Sequence, residues 1–143
     1  MTIRIEIASQ DRQVYKGEAD MVVLPGIDGM MGILPDHSPL LTVLKYGIIT
    51  VKIGKEDLYF TVAGGIAEVQ PEQVTVLADA AENVVEIDIE RAEAARKRAE
   101  ALLQQVGDGT ERYLAIQASL HRSNLRLDAA RRFRKGSSGG RAK

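Results

Sequence analysis

At Ile87-Asp88-Ile89-Glu90-Arg91-Ala92 the chain changes its apolar period. Before this stretch, apolar and polar residues alternate as they do along a half-buried strand. After it, Ile89, Ala92, Ala95, Ala99, Leu102, Leu103 and Val106 recur about every 3.6 residues, the stripe of an amphipathic helix. This switch predicts an all-β sandwich or barrel over residues 1–87, an antiparallel α-helical hairpin over residues 88–135 and a disordered tail over residues 136–143.

On the β side, Ile3-Arg4-Ile5-Glu6-Ile7 puts three isoleucines on one face and two charges on the other. Shorter runs at Met21–Leu24, Ile48–Ile53, Leu58–Val62, Ile66–Val69 and Val74–Leu77 are each bounded by turn residues, with no helical pattern between them. Gly54-Lys55 suits a two-residue hairpin, because glycine accepts the positive φ that such turns need. Pro71-Glu72-Gln73 marks another turn, and Gly64-Gly65 marks either a bulge or a close approach by another backbone.

From Pro25 to Leu44, Pro25, Gly26, Gly29, Gly32, Pro35 and Pro39 predict a loop rather than strands. Met30 and Met31 within it are an adaptable contact surface or, alternatively, plugs for the core. Asp36-His37-Ser38 has the residue types of a hydrolase triad. Sequence neighbours rarely point at one another, so the expectation is no catalytic site and a His37 that fixes the loop by hydrogen bonding. His121 has no second ligand at metal spacing, and no metal is expected.

On the helical side, Asp88 suits the first N-cap and Gly107 the first stop. Asp108 and Glu111 have capping-box spacing for a second helix, whose stripe includes Tyr113, Ile116, Leu120 and Leu127. The alanine-rich seam buries little area, so the hairpin should be marginal alone and suited to act as a mobile arm.

The formal net charge of −1 hides a split, −7 over residues 1–87 and +6 over residues 88–143. Such a division suits docking more than catalysis. The cluster Arg122, Arg126, Arg131, Arg132, Arg134 and Lys135 faces one acid, Asp128. Such a basic helix end fits nucleic acid, a membrane surface or an acidic protein segment, and a nucleic-acid-binding module on this helix is the alternative reading. Phe133 is the one aromatic among these arginines and the first domain is acidic, so no nucleic acid is expected. There is no cysteine, hence no disulfide or thiolate site. The alternating start does not read as a signal peptide, and no run approaches the roughly 20 apolar residues of a membrane span. Any membrane contact is expected to run through a partner.

Taken together, these residues resemble the epsilon subunit of bacterial-type rotary ATP synthases. The resemblance rests on Pro25-Gly26, Gly29, Gly32-Ile33-Leu34-Pro35-Asp36-His37-Ser38-Pro39-Leu40-Leu41, Leu44-Lys45-Tyr46-Gly47 and Ala63-Gly64-Gly65. It implies a non-catalytic rotor-stalk subunit of a proton-translocating complex, peripheral on the cytoplasmic face of the bacterial plasma membrane. The implied partners are the gamma subunit, the c-subunit ring and the beta and alpha subunits of the catalytic head. In relatives the loop at Met30 and Met31 lies toward the c ring and often carries an acid where Met30 stands, and His37 is a further candidate for partner contact. The implied role of the hairpin is to block ATP hydrolysis when extended, with Arg122, Arg126, Arg131 and Arg132 meeting an acidic segment of beta. Ile87-Asp88-Ile89-Glu90-Arg91-Ala92 further resembles the family's ATP-binding motif. By that resemblance Glu82, Asp88, Arg91, Ala92, Arg98, Arg122 and Arg126 would hold ATP as a regulatory ligand, with no cofactor required.

Overall fold

The computed structural model describes residues 1–141, with side chains described through residue 133. It falls into two compact units, Met1–Asn83 and the helical remainder from Val84.

The first unit is a β-sandwich of eight strands, β1 (Ile3–Ser9), β2 (Gln13–Ala19), β3 (Met21–Gly26), β4 (Gly29–Ile33), β5 (Leu40–Ile53), β6 (Glu56–Val69), β7 (Gln73–Ala78) and β8 (Ala81–Asn83). They join in the order β2-β1-β7-β6-β5-β3-β4, with β8 on β6. β1 pairs parallel to β7, and the other pairs are antiparallel. β5 and β6 pair along their whole length, from Leu40 opposite Val69 to Ile53 opposite Glu56. The far half of β6 joins β7, while its near half joins β8. One long hairpin therefore belongs to both layers. Between the layers lie Ile3, Ile5, Ile7, Val22, Leu24, Ile33, Ile49, Val51, Phe60 and Val62, all fully buried. Each such side chain contributes about 1.5–3 kcal/mol of apolar burial.

The expected turns form at Gly54-Lys55, where Gly54 has φ +59°, and at Pro71-Glu72, closed by two backbone bonds between Gln70 and Gln73. Gly64-Gly65 is no bulge, since the β5–β6 register continues unshifted past it. It is the close approach instead: a Cβ on Gly65 would lie 2.3 Å from the Leu77 carbonyl oxygen.

The loop expected over 25–44 is largely strand. Ile27-Asp28 turns β3 into β4, and only 34–39 separates β4 from β5. Pro25 fits because the β3–β5 ladder is interrupted between Val23 and Gly26, so its missing N–H costs no ladder bond there. Gly47 makes room for it, since a Cβ there would stand 2.7 Å from Pro25 Cβ.

In the second unit a 3-10 turn (Val84–Glu86) precedes α1 (Ile89–Gln105) and α2 (Glu111–Arg141). Asp88 caps α1, its Oδ1 accepting from Arg91 N at 3.1 Å. α1 runs to Gln105 with Val106, extended at φ −111°, as its C-cap, which puts Gly107 at the expected position just past the helix end. Thr110, rather than Asp108, caps α2: its Oγ1 accepts from Tyr113 N and donates to the Gly107 carbonyl, each at 3.0 Å. Glu111 is thereby the first helical residue and not the partner of a capping box. The end expected at Lys135 is also overrun, because α2 continues to Arg141 through the glycines expected to be disordered. Residues 142–143 of the expected tail lie outside the described residues.

Candidate functional site

Three surfaces carry the residues singled out by the sequence. The first is the sandwich exterior. Met30 and Met31 occupy adjacent positions of β4, so strand alternation sends them to opposite sides. Met30 is 61% exposed and free for contact, while Met31 packs against the core. Each of the two readings holds for one methionine. Their neighbourhood adds a feature missed in the sequence. Val43, Ile66 and Leu77 stand side by side on β5, β6 and β7, by a register that pairs Val43 with Ile66 and Ile66 with Leu77. They are 50%, 42% and 54% exposed, with exposed Leu41 two residues from Val43 on the same side of β5. Together they form a continuous apolar row on an outer sheet face. Glu68, paired with Leu41 and Thr75, and Glu6, paired with Thr75's other side, place acids beside it. Only Leu77 was readable as outward from its strand's alternation; Val43 and Ile66 share parity with buried Ile49 and Val51 and with buried Phe60 and Val62, because β5 and β6 each pass from one layer to the other.

The second surface is the 34–39 loop. Asp36, at φ +65°, donates its backbone N–H to the Pro71 carbonyl, and His37 N–H donates to the Leu34 carbonyl. The His37 ring meets the Ser38 carbonyl oxygen through Nδ1 at 2.8 Å, not the Ser38 hydroxyl. The contact ties down a loop; it does not prepare a nucleophile. On the neighbouring sheet, Tyr59 donates to Asp57 Oδ2 at 3.3 Å, and Lys52 pairs with the same oxygen at 3.2 Å. Burial, then the Asp57 charge and hydrogen bond, raise the Tyr59 pKa above its ordinary 10, while Lys52 acts in the opposite direction. The phenol is therefore neutral at neutral pH and structural in use.

The third surface is the hairpin. Arg91 lies in the first turn of α1 and Arg98 two turns on, both exposed. Arg122, exposed, and Arg126, half-buried, are one turn apart on α2. Glu93 on α1 bonds Arg131 on α2, and in the antiparallel pair Arg98 stands level with Arg126. The Asp88 carboxylate is engaged as a helix cap, and Ala92 is fully buried as a packing residue. Glu82 belongs to the other unit, half-buried on β8 with its carbonyl accepting from Thr61 Oγ1 at 3.4 Å. Arg132 sits over the Phe133 ring, its guanidinium carbon 5.4 Å from the ring centre. Arg131 and Arg132 thus have different surroundings although the sequence treats them alike.

Both units match known families. Residues 2–84 match the ATP synthase Delta/Epsilon chain beta-sandwich domain, and residues 86–131 match the ATP synthase Delta/Epsilon chain long alpha-helix domain. Relatives named ATP synthase epsilon chain include that of Acidithiobacillus ferridurans, 46% identical over 134 residues, covering 94% of each chain. Another, from Dehalococcoides mccartyi strain CBDB1, is 44% identical over 133 residues, 93% of this chain and 95% of that one. That of Halalkalibacterium halodurans is 41% identical over 131 residues, 92% and 98% of the two chains. Among solved structures, a chain of the Euglena gracilis mitochondrial ATP synthase aligns with TM-score 0.63 at 22% identity, over 94% of this chain and 81% of that one. A chain of the Tetrahymena thermophila central stalk and c-ring structure aligns with TM-score 0.54 at 14% identity, over 91% and 97%. At these identities the two structures support the fold alone.

Proposed function

This chain belongs to the epsilon chain family of ATP synthases, and from that premise we propose that it works as a rotor-stalk subunit whose hairpin regulates ATP hydrolysis. It is a non-catalytic subunit of the enzyme complex. In the proposed role the sandwich grips the gamma subunit and rests on the c ring, passing rotation between proton flow and the catalytic head. The complex would hold it peripherally at the cytoplasmic face of the membrane; no helix among the described residues is long and apolar enough to cross one. The observation that carries the reading is the outward apolar row Val43, Ile66 and Leu77. Such a surface costs solubility in a free protein and is stabilised when a partner covers it. A rigid two-layer sheet suits torque transmission, since a close-packed core deforms little.

The hairpin supplies the proposed regulation. Its buried helical residues, among those described, are mostly small, so the closed form is held weakly and a ligand of modest differential affinity moves it. Arg91, Arg98, Arg122 and Arg126 supply four guanidiniums on two helices, a donor set suited to a triphosphate. If ATP binds only the closed hairpin, ATP at 100 times its dissociation constant stabilises that form by about 2.7 kcal/mol. High ATP then holds the arm closed, and low ATP releases it toward the acidic segment of beta. Calorimetric titration of the whole chain with ATP tests this. Binding heat is expected from the wild type, with affinity reduced in Arg91→Ala and Arg126→Ala. Absence of heat, or unchanged affinity in both variants, removes ATP sensing from the proposal.

A further inference from the structure

The Glu93–Arg131 contact joins the two helices at the open end of the hairpin, far from the Gly107–Thr110 turn. Arg131 Nη2 donates to Glu93 Oε1 across a separation of 38 residues. Among the described residues of the two helices the buried side chains are Ala92, Ala99, Ser123, Leu127, Ala129 and Ala130, with Leu103, Ile116, Leu120 and Leu125 half-buried, so the fully covered part of the seam is one leucine among small residues. Small side chains bury little area and present shallow knobs, so such a seam resists sliding poorly. A charged pair is satisfied at one relative height, which is how flanking charges set register in coiled coils. Arg96 and Glu100, one turn apart on α1, form an ion pair within that helix and cannot serve this purpose.

We infer that Glu93–Arg131 is the lock of the closed hairpin: it sets the register of α1 against α2 and withholds the Arg131 guanidinium from external anions until the helices part. The consequence for hydrolysis rests on the regulatory reading above, while the lock itself does not. An acidic protein segment that engages Arg131 must displace Glu93, whose carboxylate also repels it. Binding of that segment and opening of the hairpin are therefore coupled. Arg132, lying against its own Phe133, carries no such restraint.

The lock side chains are partly exposed, 37% for Glu93 and 51% for Arg131, so water and salt weaken the pair. A change of about two- to five-fold in the closed population is the expected scale. Hydrogen exchange on the full chain tests it, reading amides at the open end of α1 and α2. Glu93→Gln and Arg131→Gln should each speed exchange by about two- to five-fold, and the double variant should exceed neither. The exchanged pair, Glu93→Arg with Arg131→Glu, should restore wild-type protection, and about 0.5 M salt should bring wild type to the single-variant rate. Unchanged exchange in both single variants, or no restoration by the exchanged pair, overturns the lock. In the assembled ATP synthase, Glu93→Gln keeps Arg131 while freeing it and should lower ATP hydrolysis. If exchange responds as expected and hydrolysis does not, the lock stands and the regulatory reading falls.

Discussion

Gly65 shows how one residue decides whether the sandwich closes. At φ +132° it occupies backbone territory that L-residues rarely enter, and the Leu77 carbonyl and Ala78 Cα crowd the place where a Cβ would stand. Gly65→Ala therefore combines backbone strain with a clash against backbone, which cannot rotate away. The expected loss is at least about 3 kcal/mol, seen in thermal melts as a fall of at least about 12 °C. Gly54 supplies the contrast, with positive φ but open space around it, so Gly54→Ala should cost only about 1 kcal/mol. Equal losses at the two positions would mean that φ alone, and not the approach of β7, makes Gly65 obligatory.

At the scale of elements, α1 depends on its first turn, because its buried face offers only Ala92 and Ala99. Removing the cap in Asp88→Ala should cost about 0.5–2 kcal/mol and lower the helical circular-dichroism signal before the sheet signal changes. Asp88→Asn, which still accepts from the Arg91 N–H, should recover most of it. If ATP affinity falls in Asp88→Asn while helicity is kept, the carboxylate has a ligand role besides the cap. Elements of this kind were readable in the sequence because pattern and burial coincide. Ile3, Ile5 and Ile7 alternate and are all buried, and Asp88 opens a 3.6-residue stripe. Where exposure departs from that rule, the sequence misled. β2 carries few apolar residues because it is an edge strand, and β4 was obscured by its glycines. The first half of β5 was hidden by Leu41 and Val43, apolar residues that face outward. The arginines of the candidate nucleotide site were legible as charges. The Glu93–Arg131 contact was not, since it depends on the relative height of two helices, which a small-residue seam leaves unspecified.

For the whole molecule, the acidic sandwich and the basic hairpin each present a surface that their own unit leaves uncovered. On the sandwich that surface is apolar and flanked by acids, which favours a partner face with an apolar centre and basic margins. Because Ile66 projects outward between Val43 and Leu77, Ile66→Lys places a charge at the middle of the row without entering the core. A change at such a surface position should alter the stability of the isolated chain by no more than about 0.5 kcal/mol. It should nevertheless sharply reduce copurification with the gamma subunit, because desolvating an unpaired ammonium opposes closure of an apolar contact. Ile5→Lys separates the two effects, since that position is fully buried and the variant should fail to fold at all. If Ile66→Lys folds normally and is recovered with gamma in wild-type yield, the row does not meet gamma. The next surface to test in the same way is the β3–β4 end of the sandwich, where Ile27 and Met30 are exposed.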